Sequence, residues 1–137
     1  MSDGPDLRAF LAARLDEDEA AAKAATAGPW AFEGDDPTDD ELYSVHDGIV
    51  DLVGVTVAFT RDRQVANGQH MARHDPARVL REVEGKRKIL AEHKAVTRLA
   101  GLTGQELGFL GWYREWMLKN LAAAYADHPD YQPEWKP

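Results

Sequence analysis

Leu7, Phe10, Leu11 and Leu15 recur at the i, i+3, i+4, i+8 spacing that places apolar side chains on one helical face, and Ala21, Ala22, Ala24 and Ala25 extend the run with strong helix formers. The pattern predicts a helix over 6–25. Asp3 or Asp6 can cap it, and Thr26-Ala27-Gly28-Pro29 ends it, because Gly suits a left-handed terminal residue and Pro cannot continue the ladder. The period then shortens. Trp30-Ala31-Phe32 alternates like a short strand, and Gly34 to Glu41, acidic and containing Pro37, reads as a loop. Leu42 to His46, Asp47-Gly48 and Ile49 to Phe59 read as a hairpin, with Asp-Gly supplying the positive φ of a two-residue type I′ turn. Ile49, Val53, Val55, Val57 and Phe59 share one face of its second strand, interrupted only by Asp51. A three-stranded antiparallel meander over 30–59 is therefore expected.

From Arg61 the helical period returns, predicting helices over 63–100. A short one reaches His74. Asp75-Pro76 starts the next, with Asp as cap and Pro at the first helical position, where its missing N–H costs nothing. Val79, Leu80, Val83, Arg87 and Leu90 fall on one face, Arg78, Arg81, Lys88 and Glu92 opposite, and Gly101 closes the helix. Thr103-Gly104-Gln105-Glu106 is a capping box, so a last helix is expected over 103–126, followed by an extended Pro-rich tail over 127–137 that packs Tyr131 and Trp135 onto the body or hangs free. The expected fold is one α+β domain: an N-terminal helix, a small three-stranded antiparallel meander, and two longer C-terminal helices packed on that sheet.

A length of 137 residues suits a single domain. The absence of Cys removes disulfides, thiolate metal sites and a cysteine nucleophile. No apolar run approaches the roughly 20 residues of a membrane span, and the acidic start Met1-Ser2-Asp3-Gly4-Pro5-Asp6 is unlike a signal peptide. A cytoplasmic protein is expected. The net charge of −8 is unevenly placed: residues 1–60 carry 14 Asp and Glu against 3 Lys and Arg, whereas residues 61–137 carry 10 against 13. The acidic half raises an alternative role as a nucleic-acid mimic. Direct nucleic-acid binding is disfavoured by the overall charge, and charge runs on helices usually mean only a solvated face.

Candidate chemistry is sparse. His70 and His74 lie at i, i+4 on a helix and could face one metal, with His93 or His128 completing a site. The zincin pattern needs Glu after the first His, where Met71 stands. No bound metal or other cofactor is expected, and a His-based metal-binding protein or small hydrolase is kept as an alternative. Ser2 is terminal and Ser44 lies mid-strand without an exposing elbow, and there is no phosphate-binding glycine loop, so no catalytic residue is assigned. The most unusual stretch is Phe109-Leu110-Gly111-Trp112-Tyr113-Arg114-Glu115-Trp116. The last helix carries large apolar residues nearly all the way round, so it is either buried on several sides or joined to another chain. Phe109, Trp112, Tyr113, Trp116 and Leu121 are its expected interface, used for a homodimer or a protein partner.

Three stretches carry a family resemblance. They are Leu11 to Glu19 running into Ala25-Thr26-Ala27-Gly28-Pro29-Trp30, then His70-Met71-Ala72-Arg73-His74-Asp75-Pro76 on to Glu84, and Tyr125 to Tyr131. Together they resemble the uncharacterised actinobacterial and actinophage family DUF6221, and the general layout is similar to Ea22-type accessory proteins of temperate phages. The resemblance brings no activity, substrate or catalytic residue. It implies an accessory, mobile-element setting. Between Val96 and Leu121 the sequence departs from the family pattern, the Trp-rich helix standing as an elaboration.

Overall fold

The computed structural model describes residues 6–33, 44–46, 51–54, 61–95 and 103–137. In chain order the elements are α1 (Leu7–Ala24), β1 (Ala31–Glu33), β2 (Ser44–His46), β3 (Asp51–Gly54), α2 (Arg61–Arg73), α3 (Pro76–Ala95) and α4 (Gly104–Ala122), with 3-10 turns at Ala123–Tyr125 and Pro133–Trp135. They fall into two compact units, residues 1–17 with 83–137, and residues 18–82.

The first unit is helical. Asp6 caps α1, its Oδ1 accepting the Arg8 backbone N–H at 3.2 Å. The predicted apolar stripe is the buried one: Phe10, Leu11 and Leu15 pack with Val83 and Leu90 of α3, Leu118 and Ala122 of α4, and Trp135 of the tail as the unit's core. Phe10 is its aromatic hub. Its ring meets Tyr125, His128 and Tyr131 edge-on at 5.7–6.4 Å and Trp135 at 4.9 Å. The tail runs through turns and the 3-10 turn Pro133–Trp135, which seats Trp135 in this cluster.

The second unit holds the strands. β1 and β2 pair antiparallel with Phe32 opposite Val45, and β2 and β3 with Val45 opposite Val53. The register then shifts, leaving His46 opposite Asp51 with four residues between them where a two-residue hairpin loop would leave two. Asp47-Gly48 itself, the 34–41 loop, the apolar run beyond Gly54 and the Gly101 stop lie outside the described residues. The helix that packs on these strands is α2, against β1 and β2. Gly68 of α2 is buried where a Cβ would overlap the Phe32 ring, so glycine is what lets the strand side chain lie against the helix. Asp75 caps α3 as predicted, its Oδ1 accepting the Arg78 N–H at 2.8 Å, and its Oδ2 accepts the Trp30 N–H at 3.0 Å.

The α+β expectation is thereby overturned. Helices of 18, 13, 20 and 19 residues face strands of three, three and four, and the protein is predominantly helical. Among the described residues the strands form only a short ladder, and the helix packed on it is α2. The reason is area: of the strand residues whose burial is described only Val45 is fully buried, too little surface to seat two long helices, and the apolar residues of α3 and α4 find partners in α1 and the tail instead.

Candidate functional site

The capping box that opens α4 forms in full. Thr103 Oγ1 accepts the Glu106 N–H at 3.3 Å and Glu106 Oε2 accepts the Thr103 N–H at 2.7 Å. The Thr103 backbone N–H, then its hydroxyl, hold the Glu106 carboxyl below the ordinary carboxylate value. With its start fixed, the helix divides lengthwise. Leu118 and Ala122 are buried in its C-terminal half, whereas 103–109 and 111–113 are exposed. On the exposed part, Phe109, Trp112, Tyr113 and Trp116 are 66, 60, 44 and 44% accessible, and Leu107 is 52%.

These rings form a continuous stack. Phe109 lies 6.0 Å from Trp112 and 6.4 Å from Tyr113, and Trp116 lies 6.4 Å from Trp112 and 5.9 Å from Tyr113, with interplanar angles of 13–37°. The spacings are i, i+3 and i, i+4, so helix geometry alone aligns them. Beside the stack, Gly104, Gly108 and Gly111 lie on one face at i, i+4, i+7, and a Cβ on any of them would meet nothing within 4 Å. Leu121, expected among the interface residues, is half-buried. Its helical phase groups it with Leu118 rather than with the aromatic stack.

The histidines are placed differently from a metal site. His70 and His74 are exposed and stack on each other with ring centroids 4.2 Å apart, and the His74 Nδ1–H donates to the His70 carbonyl at 2.9 Å, leaving Nε2 as that ring's free nitrogen. His93 lies between Arg8 and Arg114, with Nδ1 3.1 Å from Arg8 Nη1 and 3.5 Å from Arg114 Nη2. Burial first, then the Arg114 and Arg8 charges, pull its pKa below the ordinary 6.5. His128 packs against Arg14. Among the described residues no three His, Asp, Glu or Cys gather as metal ligands.

Two buried charged residues escape the sequence pattern. Asp75 carries a signal only for its cap, not for the reach to Trp30. Arg14 is 7% exposed, with Nη2 on Glu17 Oε1 at 2.6 Å, Nη1 on the His128 ring and its guanidinium 5.1 Å over the Phe10 ring. Its signal was present. Position 14 is i+7, i+4 and i+3 from Leu7, Phe10 and Leu11, in the middle of the apolar stripe.

Basic residues of α3 are engaged with acids, Arg78 with Glu82 at 2.7 Å, Lys88 with Glu84 at 2.8 Å and Arg87 with Asp16 at 2.6 Å, as on a solvated helix face. No helix among the described residues is long and apolar enough to cross a membrane. Comparison with curated proteins and with solved structures finds no match to this chain. A family model does match, over residues 4–137, and the chain belongs to the family of unknown function DUF6221.

Proposed function

We propose that the protein is a non-catalytic interaction module that pairs with a second copy of itself through the exposed half of α4. The observation that carries this reading is the Phe109, Trp112, Tyr113, Trp116 stack standing in solvent. Contiguous apolar patches beyond a few hundred Å² are uncommon on free monomers, and Trp and Tyr are the residues that dominate contact energies. A second copy is the favoured occupant because the patch lies on one straight helix. A two-fold axis across it sets stack against stack, and an antiparallel arrangement opposes the two helix dipoles. The open Gly104, Gly108, Gly111 face gives the partner backbone room to approach. The accessory, mobile-element setting extends the family resemblance and adds no chemistry to this reading.

Light scattering over a concentration series tests it. The expected particle has twice the 15.2 kDa chain mass at tens of micromolar, and Trp112→Glu or Trp116→Glu should return it to the chain mass with unchanged far-UV circular dichroism. A unaltered protein that stays at 15.2 kDa refutes self-pairing.

A further inference from the structure

We infer that the first unit contains a binding site for an oxyanion group, a phosphate or a carboxylate, built around Arg8 and Arg114 where the start of α1, the end of α3 and the middle of α4 meet. A cleft of about 710 Å³ opens there, bordered by Leu7, His93, Arg114, Leu118, Lys119 and Trp135. Its walls include the buried side chains Leu118 and Trp135, so a charge inside it is screened less than at an open surface.

The cations set the cleft apart: Arg114 lines it, and Arg8 reaches it through the His93 ring that also lines it. Arg8 and Arg114 come from helices far apart in sequence and converge on the same imidazole nitrogen. Arg8 Nη2 also donates to the Leu90 carbonyl at 2.5 Å, and Arg114 Nη2 to the His93 carbonyl. The two guanidiniums thus share three acceptors, none of them charged. Neither makes an ion pair among the described residues, in a chain with 24 Asp and Glu. Arg114 Nε is buried with no partner at all. Three acids border the cleft but none pairs with either arginine: Asp6 caps α1 and reaches His93 only through its charge, and Glu115 is held by Lys119 at 3.2 Å. Glu134, the remaining one, sits exposed on the tail.

Two like charges this close repel, and a shared anion relieves that repulsion more effectively than water does. Guanidinium forks match phosphate and carboxylate oxygens in pairs, and with Arg114 rotated into the cleft its orphaned Nε gains an acceptor. Burial, then the Arg114 and Arg8 charges, disfavour a proton on His93, so its ring suits the site as an acceptor rather than as a third cation.

Inorganic phosphate and malonate are titrated separately against sodium chloride of matched ionic strength. Nuclear magnetic resonance follows the His93 ring and the Trp135 indole, and thermal unfolding is recorded in parallel. The expected result is a saturable shift of both resonances with a millimolar dissociation constant and a matching rise in Tm. Saturation by phosphate alone assigns a phosphate group, and saturation by both assigns any oxyanion. Arg114→Gln and Arg8→Gln should each weaken binding at least tenfold. Arg114→Lys, which keeps the charge and guards against a folding defect, should weaken it less. No response beyond chloride, or an undiminished response in both glutamine variants, overturns the site. Because dimerisation is read from α4's aromatic stack, its failure leaves this outcome unaffected.

Discussion

Replacing Asp75 by Ala isolates the contact that joins the residues after α1 to the start of α3. The carboxylate is 6% exposed and accepts two backbone N–H groups, Arg78 at 2.8 Å and Trp30 at 3.0 Å. Losing an N-cap costs about 1 kcal/mol. Leaving the part-buried Trp30 N–H without an acceptor adds roughly 1–2 kcal/mol, the desolvation penalty of an orphaned donor. The sum expected for Asp75→Ala is thus about 2–3 kcal/mol. Asp75→Asn keeps one carbonyl oxygen but turns an NH2 toward the second donor, so it should recover the cap and lose the other bond, at about half the cost. Urea unfolding followed by circular dichroism and tryptophan fluorescence measures both. Hydrogen exchange supplies the local readout, with the Trp30 and Arg78 amides accelerating together in the Ala variant. A cost below about 0.5 kcal/mol for Asp75→Ala, or an unchanged Trp30 amide, refutes the double-acceptor role.

Three further outcomes follow from particular contacts. Gly68→Ala should destabilise by roughly 1–2 kcal/mol in urea, because the overlap with the Phe32 ring outweighs alanine's better helix propensity, and a stabilised variant would show that Phe32 does not lie there. Arg14→Ala should lower stability by about 1–2 kcal/mol and change the near-ultraviolet circular dichroism of the Phe10, Tyr131, Trp135 cluster, since Arg14 lies over Phe10 and holds His128; an unaltered near-ultraviolet spectrum would refute its role in seating the tail. His93 binds its proton more weakly folded than unfolded, so its contribution to stability is fully present above pH 6.5 and is lost as pH falls through that value toward the lower folded pKa. His93→Gln should flatten that part of the pH profile of the urea midpoint, and an unchanged slope would assign it to other groups.

How much of this was legible in the sequence depends on what each signal reports. Helix starts were legible because caps act locally: Asp6, Asp75 and the Thr103 to Glu106 box all form as their residues imply. The core stripe of α1 was legible because its period repeats over two turns. The sheet was not, because alternation over 42–59 says which residues favour an extended chain and nothing about how many of them pair. A ladder becomes a platform only when an apolar face covers it, and among the described residues the helix that packs against β1 and β2 is α2, of 13 residues.

The candidate sites divide along the same line. The aromatic stack is a property of one helix, set by i, i+3 and i, i+4 spacing, and it could be read directly from residues 109–116. The arginine cleft is a property of three helices. Nothing in the neighbourhood of Arg8 or Arg114 in the sequence announces that they share a histidine 85 residues from the first and 21 from the second. Only the folding of α1, the end of α3 and α4 into one unit brings those charges together, and its core is made by apolar residues such as Leu11, Leu90 and Leu118, not by the charged ones. A position that breaks an apolar stripe with a charge is therefore the place to look. Arg14 interrupts the stripe of α1 and is buried, Arg114 stands one turn before the buried Leu118 on α4, and the Nε of each is buried without a partner. Both cases put an arginine stem against the core and its guanidinium within reach of a histidine, His128 in one and His93 in the other. The difference lies in the countercharge: Glu17 and Asp130 pair with Arg14, and no carboxylate among the described residues pairs with Arg114, which is why the second arrangement is the one open to an anion.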